Sequence, residues 1–402
     1  MNRILPTCSI YIIACTAAAV TPGRARADWP NFRGPNHDGI SSETGFRIAW
    51  KEPIPLLWDR NVGSAFSSFA AVGDRLYTCG TADGMQTLYC LNADTGDVIW
   101  KRPFEKQYKD WQGGDGTRAT PTVDGHRVYV LGGHGMLVCA DANTGSELWT
   151  KQFDLVPEWG YSGSVLIEGD LAIATGGRPH GSLVAFDKVS GEPRWNLGEV
   201  VTGYATPYPF TLGGTRYVVG FTGKSFLIAD AKSGRLALEH PWETAYEVNA
   251  AQPIFHDGLL WIGSGYDTGC GLFKLTAAGD KLTAEQVWKS KVLLNKFQSA
   301  VLYEGNLYAS DQKDFVCVDF LTGNEQWRQR RVSNGTLLIA GGQIVFLSEN
   351  GQLQIGPAGP KGFDPTTKAD ILSGRCWTVP VLHNGKLYAR NLERITCFDL
   401  KP

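Results

Sequence analysis

Several features typical of catalytic or nucleic-acid-binding proteins are missing from this 402-residue sequence. It has no long run of lysine or arginine and a formal net charge of −2, so neither a nucleic-acid patch nor a polybasic membrane anchor is indicated. No window of a dozen residues keeps a 3.6-residue hydrophobic period, which argues against helices. Glycine-rich strings such as Gly113–Gly116 therefore introduce no helix and predict no phosphate loop, and no Gly-x-Ser-x-Gly elbow lies in a strand-to-helix setting.

What the sequence does contain is a repeat, in which a tight glycine turn follows a short apolar run eight times. The turn glycines are Gly73, Gly125, Gly169, Gly214, Gly258, Gly305, Gly342 and Gly385. Successive spacings are 52, 44, 45, 44, 47, 37 and 43 residues. These spacings match β-propeller blades and exceed the about 33 or 34 residues of ankyrin or tetratricopeptide repeats.

A second motif in most units places Asp or Asn, Thr or Ser, Gly and often Trp in fixed order. An Asp or Asn side chain can accept backbone N–H bonds just ahead of it, and glycine takes the positive φ of a tight turn. The tryptophan four residues later offers a large apolar surface between neighbouring sheets. The motif residues are Trp100 (after Asn92), Asp141, Gly145, Trp149, Asp187, Gly191, Trp195, Asp230, Gly234, Asp319, Gly323 and Trp327, with Leu238 in place of Trp in one copy and a degenerate Gly279 in another.

Between the two motifs lie short β-branched or aromatic runs that predict four strands per unit, A to D. The last unit stops before its outer strand, whereas Pro55–Val62 has strand character and Trp58 without a blade of its own. We expect this segment to complete the eighth blade and remove an open sheet edge. The predicted fold is all-β: an eight-bladed β-propeller of four-stranded antiparallel blades over residues 55–402, closed by the N-terminal strand.

The first residues predict export. Residues 1–27 read as a signal peptide, with a basic start, an apolar stretch too short to span a bilayer, and small residues before Asp28. Cleavage there would leave 35 basic and 40 acidic residues, a net charge of −5. An alternative is a lipobox-like sequence in which Cys15 carries a lipid anchor. Residues 28–54 form an N-terminal extension before the propeller.

The repeat motif resembles the pyrroloquinoline-quinone-like (PQQ-like) propeller repeat family across nearly the whole mature chain. The segment Asp28–Gly39 resembles the opening of secreted planctomycete-type members that are similar to BamB, the outer-membrane assembly lipoprotein. The resemblance implies an eight-bladed extracytoplasmic propeller. Family function divides between quinoprotein dehydrogenases and non-enzymatic scaffolds.

A ligand site, if present, is expected on the face that carries the long connections from strand D to the next strand A, because binding residues concentrate on loops of a rigid scaffold. The candidate funnel residues are Arg118, Trp159, Tyr161, Tyr204, Glu247, Asn249 and Trp377. Such a ring can stack on and pair with a planar anion, or form the hydrated mouth of an empty channel.

The family resemblance gives a test of the hypothesis that the protein is a quinoprotein dehydrogenase. Quinoprotein enzymes of this family use adjacent cysteines, a tryptophan floor, a catalytic Asp and Ca²⁺ held by Glu, Asn and Asp oxygens; this sequence has no adjacent cysteines. Glu247 and Asn249 are of a type that Ca²⁺ accepts, but the spacing is a weak signal.

We therefore predict an exported, monomeric, non-enzymatic scaffold for protein partners of the cell envelope, with no nucleic acid, no metal and no cofactor. The alternatives are a PQQ- and Ca²⁺-dependent dehydrogenase and a carbohydrate-binding propeller.

Seven cysteines follow the leader. Cys90, Cys139, Cys317 and Cys397 occupy equivalent positions in different blades, too far apart to bridge. Cys79 and Cys90 are the one pair that two strands of a blade could bring together.

Overall fold

The computed structural model describes residues 27–176, 181–199 and 202–402, and within them the chain forms eight sheets of four antiparallel strands, one of which has a fifth, parallel strand at its edge. The fold is an all-β, eight-bladed propeller, as predicted. The signal-peptide and lipid-anchor predictions concern residues that lie outside the described part, apart from Ala27. No helix of the described residues has the length and hydropathy to cross a membrane.

The first four blades each use four consecutive strands, with the first innermost. Two short strands near the N-terminus join later blades: β1 (Ile40–Ser41) joins the seventh and β2 (Leu56–Asn61) joins the eighth. The strands of blades one to four are β3 (Ala70–Val72), β4 (Arg75–Ala82), β5 (Met85–Asn92) and β6 (Val98–Lys106); β7 (Thr122–Asp124), β8 (Arg127–Leu131), β9 (Met136–Asp141) and β10 (Glu147–Gln152); β11 (Leu166–Glu168), β12 (Leu171–Thr175), β13 (Leu183–Asp187) and β14 (Pro193–Leu197); β15 (Tyr208–Leu212), β16 (Thr215–Phe221), β17 (Ser225–Asp230) and β18 (Leu236–Pro241).

Blades five to seven follow the same plan, with a single turn of 3₁₀ helix (Ala245–Glu247) before the fifth, and the eighth has three consecutive strands and takes its fourth from β2. Their strands are β19 (Ile254–His256), β20 (Leu259–Ser264), β21 (Gly269–Ala278) and β22 (Lys281–Ser290); β23 (Val301–Tyr303), β24 (Asn306–Asp311), β25 (Asp314–Asp319) and β26 (Glu325–Gln329); β27 (Gly335–Ala340), β28 (Gln343–Ser348), β29 (Gln352–Pro357) and β30 (Thr367–Asp370); β31 (Val381–His383), β32 (Lys386–Arg390) and β33 (Arg394–Asp399).

The two ends of the chain meet in the eighth blade. Strand β2 pairs antiparallel with β33 as the fourth strand of this sheet, and Trp58 lies opposite Cys397. Strand β1 instead joins the inner edge of the seventh blade, where it runs parallel to β27. The N-terminal part of the chain thus contributes to two neighbouring blades.

Neighbouring blades are joined by the tryptophan of one and the motif turn of the next. Trp149 donates its Nε1–H to the carbonyl of Lys188 over 3.2 Å, and a Cβ on Gly191 would lie 2.8 Å from its ring. A side chain at this glycine would push the blades apart. The same two contacts join Trp58 to the Gly96 turn, Trp100 to the Gly145 turn, Trp195 to the Gly234 turn and Trp288 to the Gly323 turn.

The motif turns have the geometry that their residue types favour. Asp141 Oδ1 accepts the backbone N–H groups of Asn143 and Thr144, each over 2.9 Å, and Gly145 has φ of 73°. Trp327 has no motif glycine to pack on and instead donates to the Gly359 carbonyl over 2.8 Å.

An N-terminal segment, residues 28–43, crosses the end of the ring that carries the A–B turns. Trp29 exchanges two 2.8 Å backbone hydrogen bonds with Ala71 of the first blade, and the Pro30 carbonyl accepts the N–H of Val123 of the second over 2.8 Å. Phe32 of this segment lines the central cavity. The segment therefore forms the floor of the cavity, whose mouth lies on the D–A face.

The cysteines of the described chain are buried free thiols. Cys90 lies opposite Tyr77, whereas Cys79 lies opposite Leu88, so the two cysteines are diagonal neighbours and form no disulfide. Burial raises the pKa of Cys79 to about 12, which keeps this thiol protonated and unreactive.

Candidate functional site

A cavity of about 400 Å³ occupies the centre of the ring on the D–A face. Its volume falls within the range of small-molecule sites. Each blade contributes residues from the connection into, or the start of, its inner strand. The lining residues on which the argument below depends are Phe32, Phe66, Asp110, Arg118, Thr120, Trp159, Ser164, Tyr204, Thr206, Tyr266, Lys296, Phe297, Gln298 and Trp377.

A row of hydroxyl groups joins the first four blades around the cavity. The N–H of Ser68 donates to Thr120 Oγ1 over 3.1 Å, the N–H of Thr120 to Ser164 Oγ over 2.9 Å, and the N–H of Ser164 to Thr206 Oγ1 over 2.9 Å. The hydroxyl oxygens of Thr120, Ser164 and Thr206 thus act as acceptors. No acceptor among the described residues takes the hydroxyl protons of these three side chains. The row can therefore donate hydrogen bonds into the cavity.

Arg118 is one of the predicted residues that line the cavity, but the protein itself uses its charge. Its guanidinium donates to Asp110 Oδ2 over 2.7 Å and to the carbonyls of Gly114 and Gly116 over 3.1 and 2.6 Å. It also lies 4.6 Å from the ring centre of Tyr108. Burial lowers the pKa of Arg118, and Asp110 offsets part of that cost. Arg118 thus fixes the loop that follows β6.

Trp377 forms one aromatic wall. Its ring centre lies 5.5 Å from that of Phe66 and 4.8 Å from that of Phe297, and the Arg375 guanidinium lies 4.4 Å away. Its Nε1–H donates to Glu349 Oε2 over 3.0 Å. Because its neighbours fix both the ring and its N–H, this wall is preorganised.

A second aromatic group lines the opposite side. The Trp159 ring centre lies 5.9 Å from that of Tyr204 and 6.2 Å from that of Tyr246, which in turn lies 5.5 Å from that of Tyr266. Lys296 Nζ lies 5.1 Å from the Tyr266 ring. Tyr246 and Tyr266 have φ of 61° and 50°. Such left-handed residues are strained, and strain of this kind concentrates at functional sites.

Of the seven predicted funnel residues, four line the cavity: Arg118, Trp159, Tyr204 and Trp377. The other three do not. Tyr161 is buried in the core between the second and third blades, and its hydroxyl donates to the Leu155 carbonyl. Tyr161 lies in the connection before β11, and its ring packs into the hydrophobic core, 5.5 Å from the ring centre of Phe153.

Asn249 and Glu247 also lie outside the cavity lining. Asn249 is fully buried, with its amide donating to the carbonyls of Thr222 and Trp242 and its Oδ1 accepting from two hydroxyls. Glu247 Oε1 lies 3.8 Å from Lys224 Nζ. The predicted Glu and Asn oxygens therefore do not converge on a Ca²⁺ position, and within the described residues no three His, Cys, Asp or Glu side chains form a metal-binding group. These residues do not fit the calcium ion that supports a quinone.

The sequence argument missed Phe32, Phe66, Tyr266 and Phe297, although all four line the cavity. Phe66 and Phe297 each lie four residues before an inner strand, so an alignment of the strand starts of all blades would have found them. Tyr266 lies on a B–C turn, and Phe32 is remote in sequence. Trp288 was missed as a blade-joining residue because the β21–β22 hairpin is longer and separates it from Gly279 by nine residues instead of four.

The sequence is similar to a family model and to two curated proteins of the same name. A family model described as "Outer membrane protein assembly factor BamB" matches residues 84–279. A protein of that name from Burkholderia pseudomallei is 26% identical over 349 residues, which cover 74% of this chain and 86% of that protein. A second, from Shewanella oneidensis, is 25% identical over 170 residues, which cover 41% of this chain and 38% of that protein.

Solved structures show the same fold at low identity. BamB from Moraxella catarrhalis aligns with a TM-score of 0.62 at 16% identity and covers 86% of this chain and 99% of its own. Quinohemoprotein alcohol dehydrogenase from Comamonas testosteroni aligns with a TM-score of 0.66 at 13% identity and covers 92% of this chain and 80% of its own. The repeat motif, the eight blades and the matched model agree, and the chain is similar to the PQQ-like β-propeller repeat family.

Proposed function

We propose that this protein is an exported scaffold of the cell envelope that binds protein partners through its D–A face, as a monomer and without a cofactor. Support comes from the relatives named outer membrane protein assembly factors, one of which this chain matches over 86% of that protein's length. The calcium ligands expected of a quinoprotein do not converge, which favours a binding role over the enzymatic one.

The observation that carries the proposal is the pair of exposed aromatic side chains on this face. Trp111, in the connection after β6, is 92% exposed, and Tyr246, in the connection after β18, is 67% exposed. Tryptophan and tyrosine are enriched where proteins contact one another, because they bury a large area at low entropic cost. Two such residues on the long loops of one face favour a docking role for that face.

The test is site-specific photo-crosslinking in envelope extract with the mature protein. A photoreactive phenylalanine derivative replaces Trp111 or Tyr246 in separate variants. Matched controls carry it at Leu321 and Val189, apolar residues that are 60% and 52% exposed in C–D turns on the opposite face. We expect the first two variants alone to form an adduct with an envelope protein, identified by mass spectrometry. Adducts only at Leu321 or Val189, or none anywhere, would refute the proposal.

A further inference from the structure

The cavity inside the D–A face has a lining that differs from its rim, which is the surrounding surface that carries the exposed Trp111 and Tyr246. Gln298 is 3% exposed, lines the cavity, and its Nε2 donates to no described group. A buried amide without a partner carries a desolvation cost that a bound acceptor would remove. The Nε2 itself lies just beneath the cavity surface, and a rotation of the Gln298 side chain that turns it into the cavity would let it donate to an oxygen acceptor of a ligand.

The charge of the lining points to an anion. Among the lining residues the carboxylate of Asp110 is committed to Arg118, so these two charges cancel. Lys296 also lines the cavity, and no carboxylate of the described chain forms an ion pair with it. One net positive charge, two residues from Gln298 along the chain, therefore remains to attract a negative group.

The remaining walls indicate a ligand with many oxygens and one apolar face. The hydroxyls of Thr120, Ser164 and Thr206 accept backbone N–H groups and have protons left to donate. The aromatic walls around Trp377 and Trp159 offer flat apolar surface. Sugar rings combine hydroxyl oxygens at the edge with an apolar C–H face.

We propose that the cavity binds a carboxylated sugar residue, with its carboxylate at Lys296 and Gln298, its hydroxyl oxygens at the hydroxyl row and its C–H face on an aromatic wall. The floor made by Phe32 closes the other end, so the site takes the end or side of a glycan from the D–A face. Such a sugar can come from a uronate-containing polysaccharide or from the lactyl-ether sugar of peptidoglycan. The inference goes beyond the proposed protein docking, which concerns the rim.

The experiment is calorimetric titration of the mature protein with sugar pairs that differ by the carboxylate. The pairs are glucuronic acid with glucose, galacturonic acid with galactose, and N-acetylmuramic acid with N-acetylglucosamine; 4-hydroxybenzoate is the carboxylate without a sugar. We expect at least one acid to bind saturably, and at least about tenfold more tightly than its neutral partner. Which acid binds identifies the source of the sugar.

Two variants assign the binding to this cavity. Gln298→Leu removes the orphaned amide at similar volume, so thermal stability should not fall while affinity for the acid falls at least about tenfold. Lys296→Met should do the same. The control is Lys289→Met, since Lys289 lies over an aromatic ring too, 4.6 Å from Trp242, but outside the cavity lining. It should bind as the parent does.

Four results would overturn the inference: no saturable binding up to the order of ten millimolar, equal affinity for acid and neutral sugars, binding of 4-hydroxybenzoate alone, or no effect of either cavity variant. Failure here leaves the crosslinks at the rim intact, and failure of those crosslinks leaves sugar binding intact. The two proposals are therefore tested separately.

Discussion

Trp58 gives the sharpest test of how the ring is held together. The side chain is 5% exposed, its Nε1–H donates to the Ala93 carbonyl over 3.2 Å, and its ring packs on Gly96 and lies 5.9 Å from that of Tyr388. It therefore joins the eighth blade to the first. Replacing it with alanine removes the buried ring and opens a cavity between blades, which should lower the free energy of unfolding by about 3–5 kcal/mol.

Two companion variants separate the contributions. Trp58→Phe keeps most of the packing and loses the hydrogen bond. Its free energy of unfolding should therefore fall by about 1 kcal/mol for the hydrogen bond, plus the contribution of the contacts that the smaller ring cannot make. Leu57→Ala changes a neighbour on the same strand that is 43% exposed, and should cost less than about 0.5 kcal/mol. The assay is denaturant unfolding of the mature form beginning at Asp28, followed by intrinsic fluorescence and checked by circular dichroism.

A shortened chain tests the same contact at the level of the strand. A chain beginning at Ser64 lacks β2, together with β1 and the segment 28–43, and exposes the edge of β33, so it should aggregate and give less soluble protein than the mature form. If this chain and Trp58→Ala both match the parent in stability and solubility, β2 is not needed to hold the ring, and the reasoning from its pairing fails.

Three further predictions concern the turns and the cofactor. Gly96→Ala should lower the melting temperature more than Gly84→Ala, because both glycines have φ of +70° but only at Gly96 would the new Cβ lie 2.6 Å from a tryptophan ring; equal losses would contradict this. The Arg194 side chain holds the pKa of Asp187 below its ordinary value, so the stabilisation is present above about pH 4 and is lost as pH falls through the lower folded pKa. The stability difference between parent and Asp187→Asn, measured by denaturation from pH 7 to pH 2, should therefore shrink below about pH 4, and a constant difference would count against the pairing. Pyrroloquinoline quinone with Ca²⁺ should give no saturable heat at high micromolar concentration, because Asn249 is committed within the fold; a Ca²⁺-dependent binding isotherm would reverse the cofactor proposal.

The sequence by itself determined the blade count and the plan of each blade, because both depend on local chemistry. Each turn needs a glycine at positive φ and an Asp or Asn that accepts N–H groups two and three residues ahead, as Asp141 and Gly145 do. These residues recur at the spacing of the blades, so the pattern can be recognised in the sequence alone. The face that carries the long loops followed too, since antiparallel strands alternate between the two faces.

Only the tertiary structure decided which side chains face the cavity and what closes it. Tyr161 and Trp159 are two residues apart in one loop, yet Tyr161 packs in the core between the second and third blades and Trp159 lines the cavity, because their directions depend on the path of the loop over its neighbours. The charge of Arg118 is cancelled by Asp110, a contact between two loop positions that no local pattern specifies. Phe32 reaches the cavity because a segment far away in sequence crosses the whole ring. Contacts of this kind depend on long-range packing, which leaves no periodic signal in the sequence.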